Sequence, residues 1–228
     1  MNIRQTDEGG GRRPGRARFI ELFRAPGGLG ARQAEEIHAR SRLPSAECRL
    51  HSAAMKLVRW TRFTWDLTKL PPLDRALEAR YVLRAAAREE ETVVTKVIAS
   101  AFLLDNDWSD YYNSFRDRLH AQLHLAFERE SIPALVILHG TRIIAASALS
   151  TEVEADSHLI SGPCVLTEYR NRGLGSSLLY YSLKQLAHSG LKRSCGVAKD
   201  NVPAAKFVYP KFGATAVPWE YETDFAVP

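Results

Sequence analysis

The run from Val165 to Leu179, VLTEYRNRGLGSSLL, limits what this chain can fold into more than any other stretch. It reads as the end of a strand, a turn rich in Arg and Gly, and the start of an amphipathic helix. A helix N-terminus carries backbone N–H groups with no partner inside the helix, together with the positive end of the helix dipole, so it favours a bound anion. Gly173 and Gly175 let the backbone come close to a phosphate with no Cβ in the way. Arg170 and Arg172 add charged donors beside it. The chemistry suits a ligand that carries a pyrophosphate. A dinucleotide fingerprint needs a third glycine where Leu178 stands, and a P-loop needs Gly-Lys-Ser/Thr, which is missing.

The flanking elements follow from periodicity. Residues 80–85 (RYVLRA) read as a short strand, and 89–104 as a helix with acids in its first turn and Val93, Val97, Ile98, Ala101 and Phe102 along one stripe. A second helix spans 108–130, with Leu119, Leu123 and Phe127 at i, i+4 spacing, and Pro133 ends it. Two strands, 134–139 and 142–150, meet at Gly140-Thr141 as a hairpin. A strand over 158–167 feeds the Arg/Gly turn. The helix from about Ser176 runs to Gly190. After it come a strand over 193–198, a short helix over 203–212, and one or two closing strands over 214–225. Pro163 lies inside the strand before the turn and cannot donate to a ladder, so Gly162-Pro163 marks a bulge or an edge.

Charge is unevenly placed. Residues 1–54 hold ten Arg, no Lys and six acids, whereas 55–228 hold 21 basic and 20 acidic residues. The basic balance therefore belongs to the Gly/Arg/Ala/Pro-rich leader, and the rest is almost neutral. The leader is read as disordered, because it cannot bury enough apolar surface to offset its ordering entropy. Two other readings stay open for it: a basic arm for nucleic acid, and a translation start at Met55, the one methionine after Met1. Residues 55–78 are read as an accessory strand or arm, with Phe63, Trp65 and Leu67 on one face. The main domain is read as 79–228. No apolar run reaches the ~18 residues of a membrane span, and the N-terminus lacks an apolar signal region, so a cytoplasmic location is the default. Cys48, Cys164 and Cys195 show no metal-ligand spacing, and no metal is expected.

Arg170, Gly173 and Gly175 fill the pattern Arg-x-x-Gly-x-Gly, and with the order of elements around it this resembles the acetyl-CoA signature of the GCN5-related N-acetyltransferases, the GNAT superfamily. The resemblance implies an α/β (α+β) fold with a central mixed β-sheet and about four helices, in which the strand entering the signature splays from the next one to admit acetyl-CoA. It implies acetyl-CoA as co-substrate, held by Val165, Thr167, Arg170, Asn171, Arg172, Gly173, Leu174, Gly175, Ser176 and Asn201. It makes Tyr209 the acid that protonates the departing thiolate. Asn201 and Tyr209 stand one residue further apart than in the family, which implies either a π-bulge or an Asn on the wrong face. The base is left as His158 or a water relay. Asp107, Trp108 and Tyr111 are the candidate acceptor region, through charge and cation–π contact. The implied function is transfer of acetyl to a primary amine, on a small molecule or a peptide, by direct attack in a ternary complex. The alternative is a non-catalytic CoA-binding module of the same fold. Neither membrane nor nucleic acid is an expected partner. Pairing of subunits through Trp219 and Tyr221 is one reading of the closing strands.

Overall fold

Burial alternates through the second half of the first strand. In the computed structural model, which describes residues 59–219, β1 (Trp60–Asp66) buries Phe63 and Trp65 and leaves Thr64 half-buried between them. β1 is the middle strand of a three-stranded sheet, antiparallel to β6 (Arg193–Lys199) on one side and β7 (Thr215–Trp219) on the other. The segment expected to form an accessory strand thus supplies the centre of one sheet. Residues 1–58 and 220–228, including the Arg-rich leader and Tyr221, lie outside the described residues.

The second sheet has the order β2 (Tyr81–Ala85), β3 (Ala134–His139), β4 (Arg142–Ala148) and β5 (Cys164–Val165), again with antiparallel pairings. β3 is buried from Ala134 to Leu138 and β4 from Ile143 to Ala148. Strands without an exposed side need cover on both faces. That cover comes from α1 (Glu91–Leu103) and α3 (Leu174–His188), which both pack on β4, while α2 (Ser109–Arg129) packs on α1. After β6 comes a π-helical turn, Ala204–Val208, that tightens into a 3₁₀ turn, Tyr209–Phe212. The architecture is mixed α/β, as expected. No helix among the described residues is long and apolar enough to cross a membrane.

The strand expected over 158–167 is mostly irregular. Leu159 bridges Leu149, and only Cys164 and Val165 pair with β4. Between them Gly162 adopts φ +64° and Pro163 has no N–H to give. The hydroxyl of Ser161 accepts the Ala148 N–H at 3.1 Å, so the ladder donor that the irregularity would strand is satisfied. The N–H groups of His158 and Leu159 both reach the Cys195 carbonyl, at 2.9 and 3.3 Å, and join the two sheets there. Beyond that tie β5 and β6 diverge. The splay and its sequence cause are therefore local to Gly162-Pro163.

Candidate active site

The divergence opens a cleft of about 700 Å³. Its floor includes Cys164 and Val165 on one side, Val197 and Ala198 on the other, and Tyr209 between. The Arg/Gly turn closes one end. Asn171 and Gly173 both take positive φ, +62° and +79°, and Gly173 is the N-cap of α3. No side chain caps this helix and no acid lies in its first turn. The first bond inside the helix is Ser177 N–H to the Gly173 carbonyl, so the N–H groups of Leu174, Gly175 and Ser176 have no acceptor within it. All three residues line the cleft. A Cβ built on Gly175 would meet only the Val165 Cγ2, at 3.9 Å, so internal packing does not demand glycine here. Space for something approaching from outside does.

The arginines of the turn behave differently from one another. Arg170 lines the cleft, but its guanidinium donates to the Val165 carbonyl (3.2 Å), the Ala101 carbonyl (2.8 Å) and Asp105 Oδ2 (2.8 Å). It ties the turn to the C-terminal end of α1. Arg172 is exposed, donates to the Glu168 carbonyl at 2.9 Å and lies over Tyr169. With Lys211, Gly173 and Ser176 it borders a smaller groove of about 180 Å³ that continues from the cleft toward residues 73–78. Thr167 is exposed and off the cleft, and Asn201 is half-buried and also off it. The extra residue between Asn201 and Tyr209 is absorbed by the π-helical turn.

Tyr209 is buried against β1. Phe63 and Trp65 meet its ring edge-on at 4.9 and 5.3 Å, and the Trp65 indole N–H donates to its carbonyl at 3.4 Å. Burial pushes its phenol above the ordinary tyrosine range, with the neighbouring Cys164 adding to the shift. Cys164 is itself pushed up to about 12, chiefly by burial. Both groups are therefore neutral at physiological pH.

His158 is buried and off the cleft. Its Nδ1 accepts the Cys195 N–H at 3.1 Å, Nε2 has no partner among the described residues, and burial lowers its pKa. Among the described residues that line the cleft there is no histidine and one carboxylate, Asp105, already paired with Arg170.

The expected acceptor residues meet a cation from within the chain. Lys199, 4% exposed at the end of β6, donates to the Asp107 carbonyl. Its ammonium lies 4.3 Å from the Tyr111 ring centroid and 5.4 Å from that of Trp108. Trp108 lines the cleft, whereas Asp107 and Tyr111 do not. Around Trp108 the cleft is walled by Trp60, Phe102, Phe115 and Leu119. Sequence reasoning missed Lys199 and Trp60 as neighbours of the site. Nothing in the local pattern pairs Trp60 with Lys199, although β1 sets them opposite one another.

A family model described as acetyltransferase (GNAT) family matches residues 101–214, half of the chain. The chain belongs to the GNAT acetyltransferase family. No curated protein matches it by sequence. Among solved structures it is similar to a GCN5-related N-acetyltransferase from Kribbella flavida, at 16% identity and a TM-score of 0.45, covering 71% of this chain and 56% of that one. It is also similar to a GNAT-family acetyltransferase from Colwellia psychrerythraea, at 19% identity and a TM-score of 0.48, covering 71% of this chain and 54% of that one. The chain thus spans little more than half the length of these two. A GNAT acetyltransferase from Brucella melitensis in complex with acetyl-CoA matches at 19% identity and a TM-score of 0.37, covering 50% of this chain and 72% of that one. The family assignment rests on the sequence match.

Proposed function

We propose that this GNAT member is an acetyl-CoA-dependent N-acetyltransferase in which a primary amine attacks the thioester directly while both substrates are bound. The observation that carries this reading is the uncapped N-terminus of α3, with no acid in its first turn, opening into the cleft that holds Tyr209. Acetyl-CoA supplies an activated acetyl group and a diphosphate to anchor it. The N–H groups of Leu174, Gly175 and Ser176 hold the diphosphate, and Arg172 and Lys211 balance its charge from the adjoining groove. The irregular strand around Val165 lines the arm that reaches toward Tyr209. Tyr209, kept protonated by burial, gives its proton to the departing thiolate. Water carries the proton away from the amine, since the one carboxylate among the described lining residues is paired with Arg170. Catalysis then rests largely on holding two reactants in one orientation.

The full chain melted with and without acetyl-CoA tests the binding half. At ~100 times the dissociation constant the ligand adds about 2.7 kcal/mol of stability. Gly175→Glu, which sets a carboxylate and its bulk at the helix N-terminus, should abolish the shift. Thiol release with a panel of amines tests the chemistry. A non-catalytic CoA-binding module is the second reading, favoured by the lack of an unpaired carboxylate or histidine along the described cleft lining. A melting shift with no thiol release from any amine would select it.

A further inference from the structure

Beside the Arg170–Asp105 pair, part of the cleft wall is an aromatic box. Trp60 from β1, Phe102 from α1, and Trp108, Phe115 and Leu119 at or on α2 line it. Trp108 touches Phe102, Trp60 and Phe115 at centroid distances of 5.1, 5.8 and 5.9 Å, edge-on or tilted. Phe207, on the lip formed by the π-helical turn, lines the same cleft and is 66% exposed. What can enter is narrowed by charge. Among the described lining residues the single carboxylate, Asp105, already pairs with Arg170 at 2.8 Å, and the ammonium of Lys199 lies against Trp108 and Tyr111. An acceptor with several positive charges would meet no unpaired carboxylate among the described lining residues, and desolvating those charges against the aromatic wall costs free energy.

We infer that the acceptor is a primary amine carried by an aromatic or bulky aliphatic body, and not a polyamine or a basic peptide. This rests on the acetyltransferase reading above and names the substrate class of that site. The body fills the box and packs under Phe207, and the amine projects toward Tyr209. Lys199 acts here as a positioning residue, fixing the Trp108 ring from behind.

The test is thiol release by the full chain at saturating acetyl-CoA, with phenethylamine, spermidine and a lysine-containing peptide as probes. The inference expects kcat/KM for phenethylamine at least about tenfold above the other two, the scale of discrimination one apolar group supplies in a pocket. Phe207→Ala, at an exposed position and so compatible with folding, should raise KM for phenethylamine about fivefold while KM for acetyl-CoA stays put. Preference for spermidine or the peptide overturns the inference and leaves the acetyltransferase standing. Phenethylamine turnover indifferent to Phe207→Ala overturns the placement in the box. A melting shift with acetyl-CoA but no thiol release from any amine removes the acetyltransferase reading, and the inference goes with it.

Discussion

The phenol oxygen of Tyr209 lies 2.8 Å from where a Cβ on Gly162 would stand. The irregularity in the signature strand and the candidate acid are therefore fitted to one another. Gly162 is also held at φ +64°, where an L side chain is strained. Gly162→Ala should lose about 1–3 kcal/mol of stability from backbone strain and displacement of the ring. A urea titration would show this as a lower midpoint at unchanged slope. Thiol release should fall more than acetyl-CoA affinity does, because the displaced group is the proposed acid of the chemical step. Equal losses would mean that Gly162 serves the cleft's shape alone.

Tyr209→Phe removes one oxygen and keeps the edge contacts to Phe63 and Trp65. Acetyl-CoA affinity should be unchanged by calorimetry, while kcat should fall about a hundredfold, a typical share for a positioned acid. Burial raises the phenol above its ordinary value of 10, so the wild type should keep its acid protonated beyond pH 10. Stability follows the same linkage. A folded-state pKa above the unfolded one gives stability that is complete below about 10 and declines as pH rises past it. Tyr209→Phe should lose only its own share of the alkaline decline in a pH series of melting curves, since buried Cys164, also raised, declines by the same linkage.

The elements that carry local chemistry were legible in the sequence. α3 announced itself through Gly173, Gly175 and the spacing of Leu178, Leu179, Leu183 and Leu186, all four buried. The Asn201–Tyr209 spacing left a π-bulge as one of two outcomes, and the backbone adopts it. Long-range placement was not legible. Residues 60–66 look like a strand in any pairing, and nothing local says that their partners are Arg193–Lys199 and Thr215–Trp219. Phe102 and Phe115 have the spacing of core residues, and both are buried while still lining the cleft. Arg170 reads as a charge aimed at phosphate, yet the acceptors around its guanidinium lie up to 69 residues away. Trp219, read as a surface for subunit pairing, is half-buried, with the Arg62 guanidinium 4.7 Å from its ring centroid.

Glu90 sets an acid limit on stability. Its carboxylate takes two bonds from Arg84, at 2.6 and 2.7 Å, and one from the Ala87 N–H at 2.9 Å, locking the end of β2 to the start of α1. The Arg84 guanidinium, followed by the Ala87 N–H, holds its pKa at about 2. A depressed folded pKa gives stability that is present above the unfolded value of 4.5 and lost as pH falls toward 2. Glu90→Gln should therefore cost about 1 kcal/mol at pH 7, a modest figure because the pair is partly exposed. That gap should shrink below pH 4.5 and close near pH 2. Urea midpoints for both proteins across that range measure it, and a gap independent of pH would assign the effect to packing.

Arg170 separates two ways of serving a diphosphate. Its bonds to Ala101, Val165 and Asp105 fix the turn, and Asp105 in return accepts the Asp107 N–H at 2.9 Å. Arg170→Met strands a carboxylate that is 16% exposed and a helix-end carbonyl, so it should cost about 2–3 kcal/mol, above the usual worth of a surface pair. If fixing the turn is its task, Asp105→Asn should weaken acetyl-CoA binding by a comparable factor. The double variant should then lose less than the sum, with a coupling of at least about 0.5 kcal/mol. Calorimetric titration of the three variants reads this directly. Loss of affinity in Arg170→Met alone, with Asp105→Asn binding like wild type, would mean that the guanidinium leaves Asp105 and contacts the diphosphate itself.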